Sequence, residues 1–181
     1  MKTIVALIAA AGLAAPLFSQ SAPAPPQPLL HIRTSFDLQV HASYAVTAPL
    51  FGPQGERAYA GKHWDPAFIY PQPASDMEGA VFTVRHGPYS AVWVTSLADV
   101  EGRHFQYVYF LEDLMVTVVD VYFKPVGADS TNVNVVYTRT ALTPKGNEHV
   151  TAMSDDDKTA GKDWQQAIND YLAASKADPK H

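Results

Sequence analysis

Hydrophobic and polar positions alternate over residues 35–41. Phe36, Leu38 and Val40 fall on one face, and Ser35, Asp37, Gln39 and His41 on the other. That period of two predicts a half-buried strand. Five further strand-like runs lie at residues 80–85, 89–96, 104–110, 114–124 and 131–142, dominated by Val, Thr, Tyr and Phe. Turn residues close them: His86-Gly87-Pro88, Asp99-Val100-Glu101-Gly102, Glu112-Asp113, Pro125-Val126-Gly127 and Pro144-Lys145-Gly146-Asn147. Such short turns predict antiparallel neighbours, because parallel pairs need long crossovers. In the last run Val133, Val135 and Tyr137 face one way and Asn132, Asn134, Thr138 and Thr140 the other, so one side of the sheet is solvated.

The period changes near the C-terminus. Ala160, Trp164, Ala167, Ile168, Tyr171 and Leu172 recur at three- and four-residue spacing, the stripe of an amphipathic helix. Ser154 with Asp157 fits a capping box, and Asp155, Asp156 and Asp157 suit the first turn of a helix dipole. Gly161 inside the helix costs about 1 kcal/mol against Ala, so packing must outweigh it. Between the first strand and the rest, residues 44–51 read as a short helix stopped by Gly52-Pro53, and residues 55–60 as a further turn. Gly and Pro break up any regular element over residues 61–73. The order predicts an α+β fold: a curved antiparallel sheet of about six strands bent around one long C-terminal helix.

The N-terminus reads as an export signal. Lys2 precedes an apolar run over residues 4–18, and Ser19-Gln20-Ser21 supplies small residues for cleavage. The run is too short, and too broken by Pro16, to span a membrane. The expected organisation is a signal peptide over 1–21, a Pro-rich linker over 22–30 (APAPPQPLL), one domain over 31–176 and a tail over 177–181. The expected location is the periplasm or outside the cell. There are 0 Cys residues, so neither a lipid-modified cysteine nor a disulfide is possible, and the core alone must hold the fold. One domain of this length buries roughly 70% of its unfolded surface. With 13 basic and 18 acidic residues and no basic run, electrostatic binding to nucleic acid or anionic lipid is disfavoured.

Candidate chemistry is sparse. His63 and Asp65 are two residues where zinc needs three or four ligands, and Asp65 fits a turn in Trp64-Asp65-Pro66. His86 and His104 sit at successive hairpin ends, which alternation of strand direction separates. Asp155-Asp156-Asp157 lacks the alternating ligands of a calcium loop. No nucleophile elbow, phosphate loop, dinucleotide fingerprint or HExxH occurs. No catalytic residue, metal or cofactor is therefore expected. Glu56-Arg57 reads as an ion pair tying the early helices to the sheet or, beside a cleft, as part of a site.

Four stretches carry a family resemblance. They are Gly55-Glu56-Arg57 with Trp64-Asp65-Pro66 and Tyr70-Pro71; Gly79-Ala80-Val81-Phe82-Thr83 with Val92-Trp93-Val94-Thr95; Tyr137-Thr138-Arg139-Thr140-Ala141-Leu142 with Gly146-Asn147; and Trp164 with Ile168 and Tyr171-Leu172. Taken in order, the set resembles a bacterial subgroup of the SRPBCC (START-like, helix-grip) superfamily, with Tyr59 where a bulkier Trp is expected. The resemblance implies a hydrophobic ligand held between sheet and helix. Relatives include lipid carriers, polyketide cyclases and helpers of cytoplasmic chaperones, so the fold does not choose the function. The expected contacts are Trp93, Tyr107, Tyr109, Tyr137, Trp164, Ile168 and Tyr171, with Glu56 or Arg57 at the mouth. Tyrosine suits such a site, since its ring packs while its hydroxyl seeks a partner. The expected function is an exported binding protein for a hydrophobic small molecule or lipid. The alternatives are a cyclase/aromatase-like enzyme and an interaction module with a filled core.

Overall fold

The computed structural model of this chain describes residues 27–177. The expected signal peptide, the first part of the linker and the last four residues lie outside that range. The strands are β1 His31–Val40, β2 Ala67–Tyr70, β3 Val81–His86, β4 Tyr89–Asp99, β5 His104–Leu111, β6 Met115–Pro125 and β7 Thr131–Ala141. They form one seven-stranded sheet in the order β1-β7-β6-β5-β4-β3-β2, with every neighbouring pair antiparallel. A 34-residue helix, α2 Pro144–Ala177, follows and lies against β1, β7 and β6. This is the helix-grip arrangement the alternation predicts.

The strand β2 lies where Gly and Pro were expected to break up any regular element. β2 has only the sequence AFIY, between Pro66 and Pro71, and three of its residues are exposed. Its pairing with the edge of β3 makes it a strand, through Ala67 with Thr83 and Phe68 with Phe82. Four residues carry too little pattern to show that pairing in advance.

The helix start is a second correction. Ser154 and Asp157 do not cap a helix; they are buried in the middle of one. The helix begins ten residues earlier at Pro144, the first-turn position where proline is tolerated. The Thr143 hydroxyl accepts the Gly146 N–H at 3.2 Å. The residues that read as a turn after β7 are therefore the first helical turn. The buried stripe runs Gly146, Val150, Ser154, Asp157, Gly161, Ile168 and Leu172, and it holds polar and small residues that a hydrophobic period does not register.

Gly161 has a specific reason to be glycine. A Cβ there would lie 2.9 Å from the Asp37 carbonyl oxygen and 3.1 Å from Phe36. Its absence lets α2 cross directly on the β1 backbone. Two side chains of α2 then reach the free edge of β1. Gln39 N–H donates to Gln165 Oε1 and His41 N–H to Asn169 Oδ1, both at 2.8 Å, while Asn169 Nδ2 donates to the Gln39 carbonyl at 2.9 Å. At the other end of β1, Leu30 N–H donates to Asn147 Oδ1 at 2.8 Å, so the end of the Pro-rich stretch is tied to the first turns of α2.

Before β2, α1 Tyr44–Thr47 continues into a 3₁₀ turn, Ala48–Phe51, and two more turns follow at Gly55–Ala58 and Gly61–His63. These turns close one part of the cup. Phe51 drops into the core, edge-on to Phe123 at 5.3 Å and 6.2 Å from the Trp164 ring. Among the described residues, no helix is long and apolar enough to cross a membrane.

Candidate functional site

The concave face of the sheet is laid out in rows by the strand register. One row runs Phe82, Trp93, Tyr109, Thr117 and Arg139. The next runs Thr95, Tyr107, Val119 and Tyr137. In the first row Trp93 stacks on Tyr109 with ring centres 4.2 Å apart, and on Phe82 at 5.9 Å. His86, at the end of β3, lies nearly parallel to Tyr109 at 5.6 Å and to Trp93 at 6.1 Å.

The interior is not filled. A cavity of about 560 Å³ opens between these rows, the 3₁₀ turns and α2. Its aromatic wall is Trp64, Trp93, Tyr107, Tyr137 and Trp164, completed by Val84, Val119 and Val121. Glu56, Tyr59 and His86 supply polar groups, and the exposed His63, Arg85 and Asp163 stand at the rim.

The segment around Glu56 is held by bonds that leave its carboxyl to the cavity. Tyr59 Oη donates to the Leu50 carbonyl at 3.0 Å, and Trp64 Nε1 to the Pro53 carbonyl at 2.8 Å. Arg57 turns outward instead. It meets Asp65 at 2.6 Å, donates to Gln54 Oε1 at 3.1 Å and reaches the Pro66 carbonyl. The expected Glu56–Arg57 ion pair is therefore absent, and the two neighbours serve opposite sides of one turn. Tyr107 Oη donates to the Phe51 carbonyl at 2.9 Å. With both tyrosine protons committed, Tyr59 and Tyr107 offer the cavity acceptor oxygens rather than donors.

The surroundings shift the titrating groups. Burial, reinforced by the nearby Asp76 carboxyl, holds Glu56 well above its ordinary range. Part of the Glu56 surface remains open, but it opens onto this apolar cavity. Burial lowers His86, whose Nε2 has no hydrogen-bond partner among the described residues. Burial likewise raises Tyr59, Tyr107 and Tyr137, with the Glu56 charge adding to each. Burial thus favours the uncharged form of both the carboxyl and the imidazole that face this aromatic space.

Of the residues singled out in the sequence, Trp93, Tyr107, Tyr137, Trp164 and Glu56 line the cavity. Four do not. Tyr109 is 1% exposed and lies behind Trp93. Ile168 is fully buried in the core, Tyr171 packs beside it, and Arg57 faces solvent. The histidines behave separately: His104 sits at the other end of β4 from His86 and bonds to Asp120 at 2.8 Å. Among the described residues, no group of three or more His, Asp or Glu side chains gathers as a metal site.

Two residues lie on the inner face that were not expected there. His86 continues the inward series Phe82, Val84, and Arg139 continues Val133, Val135, Tyr137. Alternation alone places both inward. Arg139 is 2% exposed and forms a two-pronged pair with Asp157 of α2, one prong at 3.0 Å. Thr34 also donates to Asp157, and the Arg139 guanidinium lies 4.3 Å over the Tyr137 ring.

No protein-family profile matches the sequence, and no curated protein does. Solved structures do match in shape. Norcoclaurine synthase from Thalictrum flavum, in complex with dopamine and hydroxybenzaldehyde, aligns at TM-score 0.61 and 14% identity, covering 86% of this chain and 98% of that one. A conserved protein from Geobacillus kaustophilus aligns at TM-score 0.58 and 10% identity, covering 80% and 97%. The di-domain ARO/CYC protein BexL from the BE-7585A biosynthetic pathway aligns at TM-score 0.58 and 11% identity, covering 80% of this chain and 47% of BexL. At such identities the likeness is one of fold: the chain has the START-like helix-grip fold.

Proposed function

We propose that this chain is an exported binding protein that holds a hydrophobic small molecule or lipid between the sheet and α2. The observation that carries the reading is the cavity of about 560 Å³ walled by aromatic rings, with few polar groups. That size lies within the range of roughly 300–1,000 Å³ of ligand pockets. Each methylene moved into it from water gains about 0.8 kcal/mol. Glu56, His86 and the acceptor oxygens of Tyr59 and Tyr107 would orient a guest through its polar end. The norcoclaurine synthase complex holds small aromatic molecules in the same fold, which supports a guest of that size. The cavity also counts against an interaction module with a filled core.

Export rests on Lys2, the apolar run of residues 4–18 and Ser19-Gln20-Ser21. N-terminal sequencing of protein recovered from the periplasm or medium should begin between about Ser19 and Ala24. A chain retained in the cytoplasm with Met1 intact would overturn this part.

A second reading, a cyclase/aromatase-type enzyme, is favoured by one observation: Glu56 and His86 are shifted in opposite directions within one cavity. Such pairs divide acid and base roles. One set of experiments separates the readings. Protein isolated from its own host is weighed under non-denaturing conditions, then screened by thermal shift against fatty acids, phospholipids, sterols and aromatic polyketides. A carrier shows an adduct lost on denaturation, or a saturable stabiliser whose effect disappears when Ala167→Trp fills the cavity. An enzyme converts a compound in that panel and loses the conversion in Glu56→Gln. No adduct, stabiliser or turnover would sink both.

A further inference from the structure

We propose that the protein has a second ligand site, behind the Tyr107 ring as seen from the first, that takes a small apolar amine. The site is a separate cavity of about 450 Å³ between the α1 segment and the far ends of β4 and β5. Tyr107 is the residue that lines both cavities, so its ring is the partition. The proposal stands apart from the function of the first cavity, since it uses different residues and a different opening.

The second cavity differs from the first in its chemistry. Small residues, among them Ala45, Ala48 and Ala98, make most of its wall, and Phe105 adds a ring. Among the described residues, Asp76 is the only charged side chain that lines it. Both tyrosine hydroxyls at the cavity are already used: Tyr107 Oη donates to the Phe51 carbonyl, and Tyr44 Oη to the Val100 carbonyl at 2.7 Å. What remains is acceptor capacity. The Asp76 carboxylate receives the Gln54 N–H at 2.9 and 3.1 Å, and a carboxylate has lone pairs to spare for further donors. Thr95 is 3% exposed, and its buried Oγ1 has no partner among the described residues. A hydroxyl left so is costly and is ordinarily explained by a group that joins it.

An alkyl- or arylalkylammonium ion meets these conditions together. Its three N–H donors match the Asp76 carboxylate and the Thr95 hydroxyl. Its apolar tail suits the alanine wall, and the rings of Phe105 and Tyr107 attract a cation, whereas the Arg103 guanidinium already lies 5.6 Å over the Tyr44 ring. A fatty acid or phosphate ester would bring its negative charge to the single carboxylate and be repelled. A neutral alcohol would lack the charge-assisted bond.

The test is a titration of the full-length chain with 4-phenylbutylammonium chloride, followed by amide NMR, with 4-phenylbutanol as the neutral counterpart. The expected result is saturable shifts at Ala45, Ala98, Val100 and Phe105 that persist in Ala167→Trp, where the first cavity is filled. Asp76→Asn keeps an acceptor for Gln54 and should weaken the amine by roughly tenfold, the scale of one hydrogen bond to a charged group, while leaving the alcohol unchanged. Ala45→Trp, at an exposed helical position on the cavity wall, should abolish both sets of shifts, and it serves if Asp76→Asn does not fold. Shifts confined to Ala60 and Ala167 would mean that the amine occupies only the first cavity. That result, no saturable shift, or amine affinity unaltered in a folded variant of either kind, would overturn the proposal without touching the function proposed for the first cavity.

Discussion

Glu56 and His86 face one cavity, and burial shifts the first up and the second down, favouring the neutral form of each. The folded chain holds the Glu56 proton more tightly than the unfolded chain does. Its contribution to stability is therefore present below the ordinary glutamate value of about 4.3 and is lost as pH rises through the raised folded value. His86 works in reverse. Its neutral form belongs to the fold, so stability is lost as pH falls from about 6.5 through the lowered folded value. Urea unfolding across a pH series should show Glu56→Gln flattening the decline on the alkaline side, and His86→Phe flattening the one on the acidic side. An alkaline limb unchanged in Glu56→Gln would mean that water solvates that carboxyl. Neither residue's role was plain in the sequence. Glu56 stands in a 3₁₀ turn with no hydrophobic period to point it, and the direction of its side chain is set by bonds of Tyr59 and Trp64 to distant carbonyls. His86 was legible, since it continues an inward alternation, but a turn signal directly after it drew it into the loop.

The long helix shows how an element can be legible in its second half and obscure in its first. Trp164, Ile168 and Leu172 announce the apolar stripe, whereas the turns before them bury Gly146, Ser154, Asp157 and Gly161. Glycine and charged residues there look like a loop followed by a cap. Close backbone approach explains the glycines, and the Arg139 pair explains the aspartate. Two expectations follow at this scale. Gly161→Ala should destabilise the protein, although Ala is better than Gly in a helix by about 1 kcal/mol, because the new methyl meets the Asp37 carbonyl. A gain in the denaturation midpoint would show that the helix stands off β1. Arg139→Met or Asp157→Leu alone should cost about 3–5 kcal/mol by leaving a buried charge unpaired, while the double substitution should recover most of it. Additive losses in that cycle would mean that the two side chains do not act as a pair.

For the whole molecule, the alternation, the short turns and the final amphipathic run were enough to predict a sheet wrapped on a helix. Whether the cup is filled or hollow was not legible. β6 shows why: Val116 and Val118 point to the outer face and Thr117 and Val119 to the inner, so hydrophobicity barely distinguishes the two sides. A cavity is a difference between the volume enclosed and the side chains that enter it, and that difference depends on where the connecting turns sit. Here Trp64 and Trp164 stand around the space without closing it, and Tyr107 divides it from the second cavity.

The bonds from Gln165 and Asn169 to β1 have a further consequence. An open sheet ends in two strands whose outward N–H and C=O groups could template another chain. One end is guarded by brevity, since β2 has only four residues. The other, β1, is ten residues long, and its amides near Gln39 and His41 are answered by helix side chains that imitate a missing neighbour strand. The helix thus insulates the fold against recruitment of its own copies. A Gln165→Ala/Asn169→Ala chain should keep its circular dichroism yet self-associate on concentration, seen as growth in light scattering, whereas a chain that stays monodisperse would place the protection elsewhere.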